Sequence, residues 1–186
     1  AAAVFYGMND LFGLSMTLMD MQKLGVNIGA DVPYCLMGGT ALSEGIGERL
    51  TSLPPAPECV LAVAKPEINV STGFVYENLH LDQLAQHPDI DGMAEAIRHG
   101  NLLGIAQRLG NVLETVTVPR YPVIGEIKRI MCQAGAENAL MSGSGPTVFG
   151  IFLEREAAKE AVEKIRKAGL AGQVFVTGFF GERAGR

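Results

Sequence analysis

The sequence has no tryptophan, only three cysteines and few charges: charged residues make up 19% of its 186 positions, against roughly 25% in an average soluble domain. Cys35, Cys59 and Cys132 are odd in number, widely spaced and outside any Cys-x-x-Cys pair. That argues against a disulfide framework or a zinc site, and for free thiols in a reducing cytoplasm. Basic residues are outnumbered 15 to 20, for a net charge of −5, which argues against a broad electrostatic grip on nucleic acid. No apolar run approaches the ~18–20 residues that cross a bilayer. No basic segment leads into an apolar one either, so nothing points to export or to a membrane. What the chain does have is apolar residues, 48%, too many for a disordered chain. It also has 23 glycines, above the usual ~7%, and they come in clusters.

Apolar Val4, Met8, Leu11 and Phe12 recur at helical spacing, with Gly13 as the stop. A helix opening at the first residues has no N-cap, so we expect an N-terminal part to be missing and Phe5 and Phe12 to be under-buried. A second helix is predicted from Ser15 as N-cap to Gly25, with Leu14 and Met19 as a hydrophobic staple. Its Met16, Met19 and Met21 read as core filler. Residues 27–39 form a loop feeding a short helical turn, and residues 40–45 and 48–53 read as strands around Ile46-Gly47. Pro54-Pro55-Ala56-Pro57 is the one stiff, linker-like stretch, and places the domain boundary, 1–54 and 55–186. Beyond it lie a strand at 59–64, a short helix capped by Ser71 or Thr72, and helical periodicity over 90–110 and 121–134. Pro119 and Pro122 break the path between those two runs. Strands at 139–141 and 147–152, an amphipathic helix at 154–168 and a strand at 173–179 complete the chain. The order is that of a ferredoxin-like split βαβ within an α+β fold.

Three segments hold candidate chemistry. Gly29-Ala30-Asp31-Val32-Pro33 sets a carboxylate at a helix start, either as an N-cap or to accept a proton from a substrate hydroxyl. Ser142-Gly143-Ser144-Gly145-Pro146 lies between two strands and is either a tight turn or an anion-binding nest of backbone N–H groups. It is not a Walker loop, since no Gly-Lys-Ser/Thr follows. Ser71-Thr72-Gly73-Phe74-Val75-Tyr76 offers either a helix cap with a core ring, or hydroxyls beside a stacking platform for a base. His80, His87 and His99 lack ligand spacing and read as surface residues.

The order of the motifs is more specific than any one of them. Gly-Ala-Asp-Val-Pro, Glu-Gly-Ile-Gly-Glu, Lys-Pro followed by Val-Ser-Thr and Val-Tyr, Asn-Val-Leu-Glu and Ser-Gly-Ser-Gly-Pro occur in this sequence from residue 29 to 146. The series closely resembles the bacterial 4-diphosphocytidyl-2-C-methyl-D-erythritol kinases, of the galactokinase–homoserine kinase–mevalonate kinase superfamily. The resemblance implies a remnant of a ribosomal-S5-like N-terminal domain followed by a ferredoxin-like C-terminal domain. It implies Asp31 as the catalytic aspartate that activates the acceptor hydroxyl. Thr72 and Tyr76 would line the substrate pocket, with Tyr76 stacked on cytosine, and Gly143, Ser144 and Gly145 would stand beside the nucleotide phosphates. The implied reaction moves the γ-phosphate of ATP, with Mg²⁺, to the 2-hydroxyl of a cytidine diphosphate-linked methylerythritol in the non-mevalonate route to isoprenoids, in the cytoplasm.

The departure from the family is the Gly-rich ATP loop, of which only Ala1-Ala2-Ala3 corresponds to the closing residues. The implied lysine and substrate-facing histidine and tyrosine would also lie upstream. The chain alone is therefore expected to be inactive, with surfaces left open to self-association. A non-catalytic ferredoxin-like binding module is the rival expectation, and another small-alcohol kinase of the superfamily a weaker one.

Overall fold

The computed structural model describes every residue except Leu81, Gln83, Ala85, Gln86 and residues 180–186. The described residues fall into two compact units, Ala1–Pro55 and Ala56–Phe179.

In the first unit, helix α1 (Ala2–Leu11) ends where glycine was expected to end it, Gly13 taking φ +58° just past the cap at Phe12. None of its residues is buried, Phe5 is half-buried and Phe12 is 60% exposed. Helix α2 (Leu18–Gly25) is capped by Thr17, not Ser15. The Thr17 hydroxyl accepts the Asp20 N–H at 3.2 Å while the Asp20 carboxylate accepts the Thr17 N–H at 3.0 Å. This reciprocal box satisfies two orphan donors, which Ser15 with no acid three residues on does not offer. Of the expected core methionines Met21 is buried, Met16 half-buried and Met19 exposed. Helix α3 (Val32–Met37) packs against α2 at Gly25, where a Cβ would lie 2.9 Å from Val32 Cγ1. Strands β1 (Thr40–Glu44) and β2 (Arg49–Leu53) then pair antiparallel. In their turn the Glu48 carboxylate accepts the Ile46 N–H at 2.7 Å. Its own backbone N–H and that of Ile46 hold the Glu48 carboxyl below its usual range.

The second unit is built on β3 (Val60–Lys65), β4 (Asn138–Met141), β5 (Val148–Phe152) and β6 (Gln173–Thr177). They form one antiparallel sheet in the order β4-β5-β3-β6, the strand order of a split βαβ. Alternation along β3 serves two faces. Ala62 and Ala64 join Val148 and Phe152 against α8 (Pro122–Gln133) and α9 (Arg155–Lys167) in the main core. Leu61 and Ile151 pack with Ala96 and Ile105 in the other. Two expectations are corrected here. The run 90–110 is two helices, α5 (Ile90–Arg98) and α6 (Leu102–Gln107), separated by Gly100 at φ +62° and Asn101, whose side chain accepts the Gly104 N–H. The stretch before Pro122 is helical as well, α7 (Glu114–Arg120), with Pro119 inside it. Pro119 is the second-last residue of α7, where one lost hydrogen bond is tolerated. Tyr121, which precedes Pro122, leaves the helical conformation with φ −131° and ψ 78° and so separates the helices. Along α9, Glu160 pairs with Lys164 at 2.7 Å and Glu163 with Arg166. Among the described residues no helix is long and apolar enough to cross a membrane.

Candidate functional site

Ser142–Pro146 joins β4 to β5 and is closed at its base by Ser142 N–H donating to Thr147 O at 2.8 Å. Gly143 and Gly145 have φ of +55° and +96°, values that L side chains rarely adopt. Within the loop the Gly145 N–H donates to Ser142 O at 3.0 Å. Among the described residues the Gly143 and Ser144 N–H groups donate to no acceptor. The loop therefore offers free donors at an exposed tip, the chemistry of an anion nest.

Helix α4 (Thr72–Glu77) brings two more of the candidate residues. Ser71 caps it, its hydroxyl accepting the Phe74 N–H at 3.3 Å. Thr72 is thereby left for another partner, and its hydroxyl meets that of Ser144 at 2.9 Å. One turn further along, Tyr76 is 60% exposed, while Val75 is the side chain α4 buries. A core ring is thus excluded for Tyr76. Thr72, Tyr76 and the Ser142–Pro146 loop belong to one unit.

Asp31 belongs to the first unit, in the turn that opens α3, and is exposed. It occupies the N-cap position with helical φ and ψ, yet its carboxylate makes no cap hydrogen bond. Pro33 in the first turn is the reason a cap is less needed: one of the donors it would satisfy is missing. The carboxylate is available for other work.

Other residues around the loop carried no role in the sequence. Asn111 Nδ2 donates to Met141 O and Gly143 O, each at 2.8 Å. Glu114 Oε1 accepts the Met141 N–H at 2.8 Å, and its other oxygen pairs with Lys128. Buried Thr117 donates to Ser144 O at 3.3 Å. The Asn-Val-Leu-Glu run was visible as a motif, but nothing in it points to the strand end and loop that these side chains reach. His80, His87 and His99 are exposed. Among the described residues no three His, Cys, Asp or Glu side chains are grouped to hold a metal ion.

A class comes first: residues 93–171, which include the Ser142–Pro146 loop, match the family described as GHMP kinases C terminal. The chain is 54% identical over 97% of its length to the 4-diphosphocytidyl-2-C-methyl-D-erythritol kinase of Lachnospira eligens, and 53% identical over the same share to that of Lachnoclostridium phytofermentans. A crystal structure of 4-(cytidine 5'-diphospho)-2C-methyl-D-erythritol kinase superposes with a TM-score of 0.77 at 28% identity, covering 96% of this chain. A homoserine kinase from Cytophaga hutchinsonii shares the fold, with a TM-score of 0.74 at 23% identity over 96% of this chain and 62% of its own. Over nearly its whole length the chain is thus similar to the 4-diphosphocytidyl-2-C-methyl-D-erythritol kinases. It spans 62% of the length of the two curated relatives and of the superposed kinase.

Proposed function

We propose that the chain is the C-terminal part of an ATP-dependent kinase that phosphorylates the 2-hydroxyl of 4-diphosphocytidyl-2-C-methyl-D-erythritol, in non-mevalonate isoprenoid synthesis in the cytoplasm. The observation that carries this reading is the identity of 53–54% over 97% of the chain to two kinases of that one name. Residues 1–54 are then the remainder of a ribosomal-S5-like domain and 55–186 the ferredoxin-like domain.

Phosphoryl transfer relies on positioning and charge stabilisation, and the residues present divide that work. Asp31, with no cap bond to hold it, accepts the proton of the attacking hydroxyl. Tyr76 presents an exposed ring for cytosine, and Thr72 lines the same pocket. The N–H groups of Gly143 and Ser144 donate to phosphate oxygens, and Gly145 shapes the loop that carries them. Mg²⁺, carried by ATP, would supply charge neutralisation to the phosphate being transferred. The chain alone supplies only part of the phosphate-binding donors, so it turns nothing over. The exposed apolar side chains of α1 and its C-cap, Leu11 and Phe12 among them, support self-association of the isolated chain.

Fusing the chain behind the N-terminal region of the Lachnospira eligens relative and assaying with ATP and Mg²⁺ tests the reading. Phosphorylation of the cytidyl substrate, and of neither homoserine nor mevalonate, is the expected result. Activity on homoserine or mevalonate in its place overturns the substrate. Turnover by the unfused chain overturns its inactivity.

A further inference from the structure

The Ser142–Pro146 loop owes its shape to side chains that lie outside it. Of the backbone groups from Met141 to Ser144, four are held by residues 111–117. Asn111 Nδ2 takes Met141 O and Gly143 O, Glu114 Oε1 takes Met141 N–H, and Thr117 Oγ1 takes Ser144 O. Ser142 O is occupied inside the loop by the Gly145 N–H. Every carbonyl oxygen from Met141 to Ser144 is therefore engaged, while the N–H groups of Gly143 and Ser144 have no acceptor among the described residues. A peptide loop with its acceptors satisfied and its donors free presents partial positive charge to a ligand.

Asn111 is anchored for this task. Its Oδ1 accepts the Leu113 N–H at 3.0 Å, so the amide nitrogen is the atom left to face the two carbonyls. Glu114 is anchored in turn by Lys128, at 18% and 25% side-chain exposure. That ion pair leaves Oε1 free to grip β4 where the loop begins.

We infer that Asn111 and Glu114 are positioning residues for the Ser142–Pro146 loop, holding its backbone so that the Gly143 and Ser144 N–H groups are free to bind a phosphate group. The inference rests on the reading of this loop as a phosphate loop. Charge alone argues the other way for Glu114: an acid near the loop repels an anion, so its removal should tighten phosphate binding. Positioning requires removal to weaken it.

The test is ¹⁵N NMR of the full chain with pyrophosphate as the probe, on wild type and on Asn111→Ala, Glu114→Ala and Glu114→Gln. In the wild type the Gly143 and Ser144 amides are expected to shift with pyrophosphate and to show heteronuclear NOE values like those of β5. Asn111→Ala and Glu114→Ala should lower those two NOE values to the range of a mobile loop and weaken pyrophosphate at least tenfold. Glu114→Gln, which keeps an oxygen for Met141 N–H but loses the ion pair with Lys128, should fall between wild type and Glu114→Ala in both readouts. Resonances of α9 and β6 report that the fold is intact. If Asn111→Ala does not fold, Asn111→Asp, which keeps the bond to Leu113, carries the NOE comparison. Unchanged NOE values in both alanine variants, or tighter pyrophosphate binding by Glu114→Ala, overturn the positioning role. Rigid wild-type amides that ignore pyrophosphate overturn the phosphate reading, and the NOE comparison still decides what holds the loop.

Discussion

The hydroxyls of Thr72 and Ser144 share a hydrogen bond of 2.9 Å across 72 residues of sequence. One stands at the start of α4 and the other at the middle of the loop between β4 and β5, so this contact ties the proposed nucleoside side of the pocket to the proposed phosphate side. Thr72 is exposed, which places the bond at the low end of the usual net range, about 0.5–1 kcal/mol. Thr72→Val should lose about that much stability in urea unfolding, and Thr72→Ser should lose less. A valine variant as stable as wild type would mean that water replaces the Thr72 hydroxyl as the partner of Ser144 at no cost.

Tyr76 follows Thr72 by one turn of α4 and so shares its side of the helix. Because the ring is 60% exposed and Val75 fills the core instead, Tyr76→Ala should change stability by no more than about 0.5 kcal/mol. In the fused kinase the same substitution should weaken the cytidyl substrate by about 1–3 kcal/mol, the range for base–aromatic stacking, and leave ATP unaffected. Calorimetric titration with each ligand separates the two. Equal losses for both ligands would return the ring to a structural role.

Asp31→Asn replaces a carboxylate that makes no cap bond, so the urea midpoint of the chain should hardly move. In the fused kinase kcat should fall by roughly 10²–10⁴-fold, as for loss of a positioned proton acceptor, with KM for the cytidyl substrate nearly unchanged. Stopped-time assays of product give both constants. Turnover near that of wild type would remove Asp31 from the chemistry.

The parts legible in the sequence were those written in local periodicity. The amphipathic stripe of α9, the strands flanking Ser142–Pro146 and the stop at Gly13 all stand where pattern and glycine placed them. The misses share a physical cause. Thr17 displaced Ser15 as a cap through an answering carboxylate on Asp20, and Asn101 divided one stretch of helical periodicity by capping α6 within it. In both cases a side-chain hydrogen bond decided the boundary, and hydrophobic spacing does not record such bonds. Pro119 failed to break α7 because it stands near the helix's end. The grip of Asn111 and Glu114 on β4 and its loop was further out of reach, since it joins residues about thirty apart whose meeting the sheet alone arranges.

Asp89 allows a pH test. Its carboxylate accepts the Gly92 N–H at 2.9 Å and Arg108 Nε at 3.0 Å, and these two bonds hold its carboxyl below the usual value of 3.8. A carboxyl depressed in the folded state contributes stability that is present above the unfolded pKa and is lost as pH falls through the folded one. Asparagine still caps α5, so Asp89→Asn keeps the bond from Gly92 and removes the charge and the acceptor that face Arg108. The variant should be less stable than wild type at neutral pH, and the gap should close below about pH 4. Urea midpoints at both pH values measure it, and a gap that stays constant would mean the charge contributes nothing.

The two glycines of the loop should respond differently to alanine. Gly143 has φ +55° with nothing within 4 Å of an added Cβ. Gly143→Ala therefore meets only the cost of a left-handed residue, about 1–2 kcal/mol. Gly145 sits at φ +96°, and a Cβ there would stand 2.7 Å from Met141 Sδ and 3.5 Å from Thr117 Cγ2. Met141 and Thr117 are both buried, at 0% and 1% exposure, so neither can swing into solvent to make room. Backbone strain of about 1–3 kcal/mol adds to overpacking of about 1–3 kcal/mol. Gly145→Ala should thus cost about twice as much as Gly143→Ala in urea unfolding. It should also move the resonances of Met141 and Thr117, which Gly143→Ala leaves in place. Equal costs, or a Gly145 variant with the Met141 environment unaltered, would show that the loop accommodates a side chain by shifting as a whole, and that the bonds from Asn111 and Glu114 do not hold it.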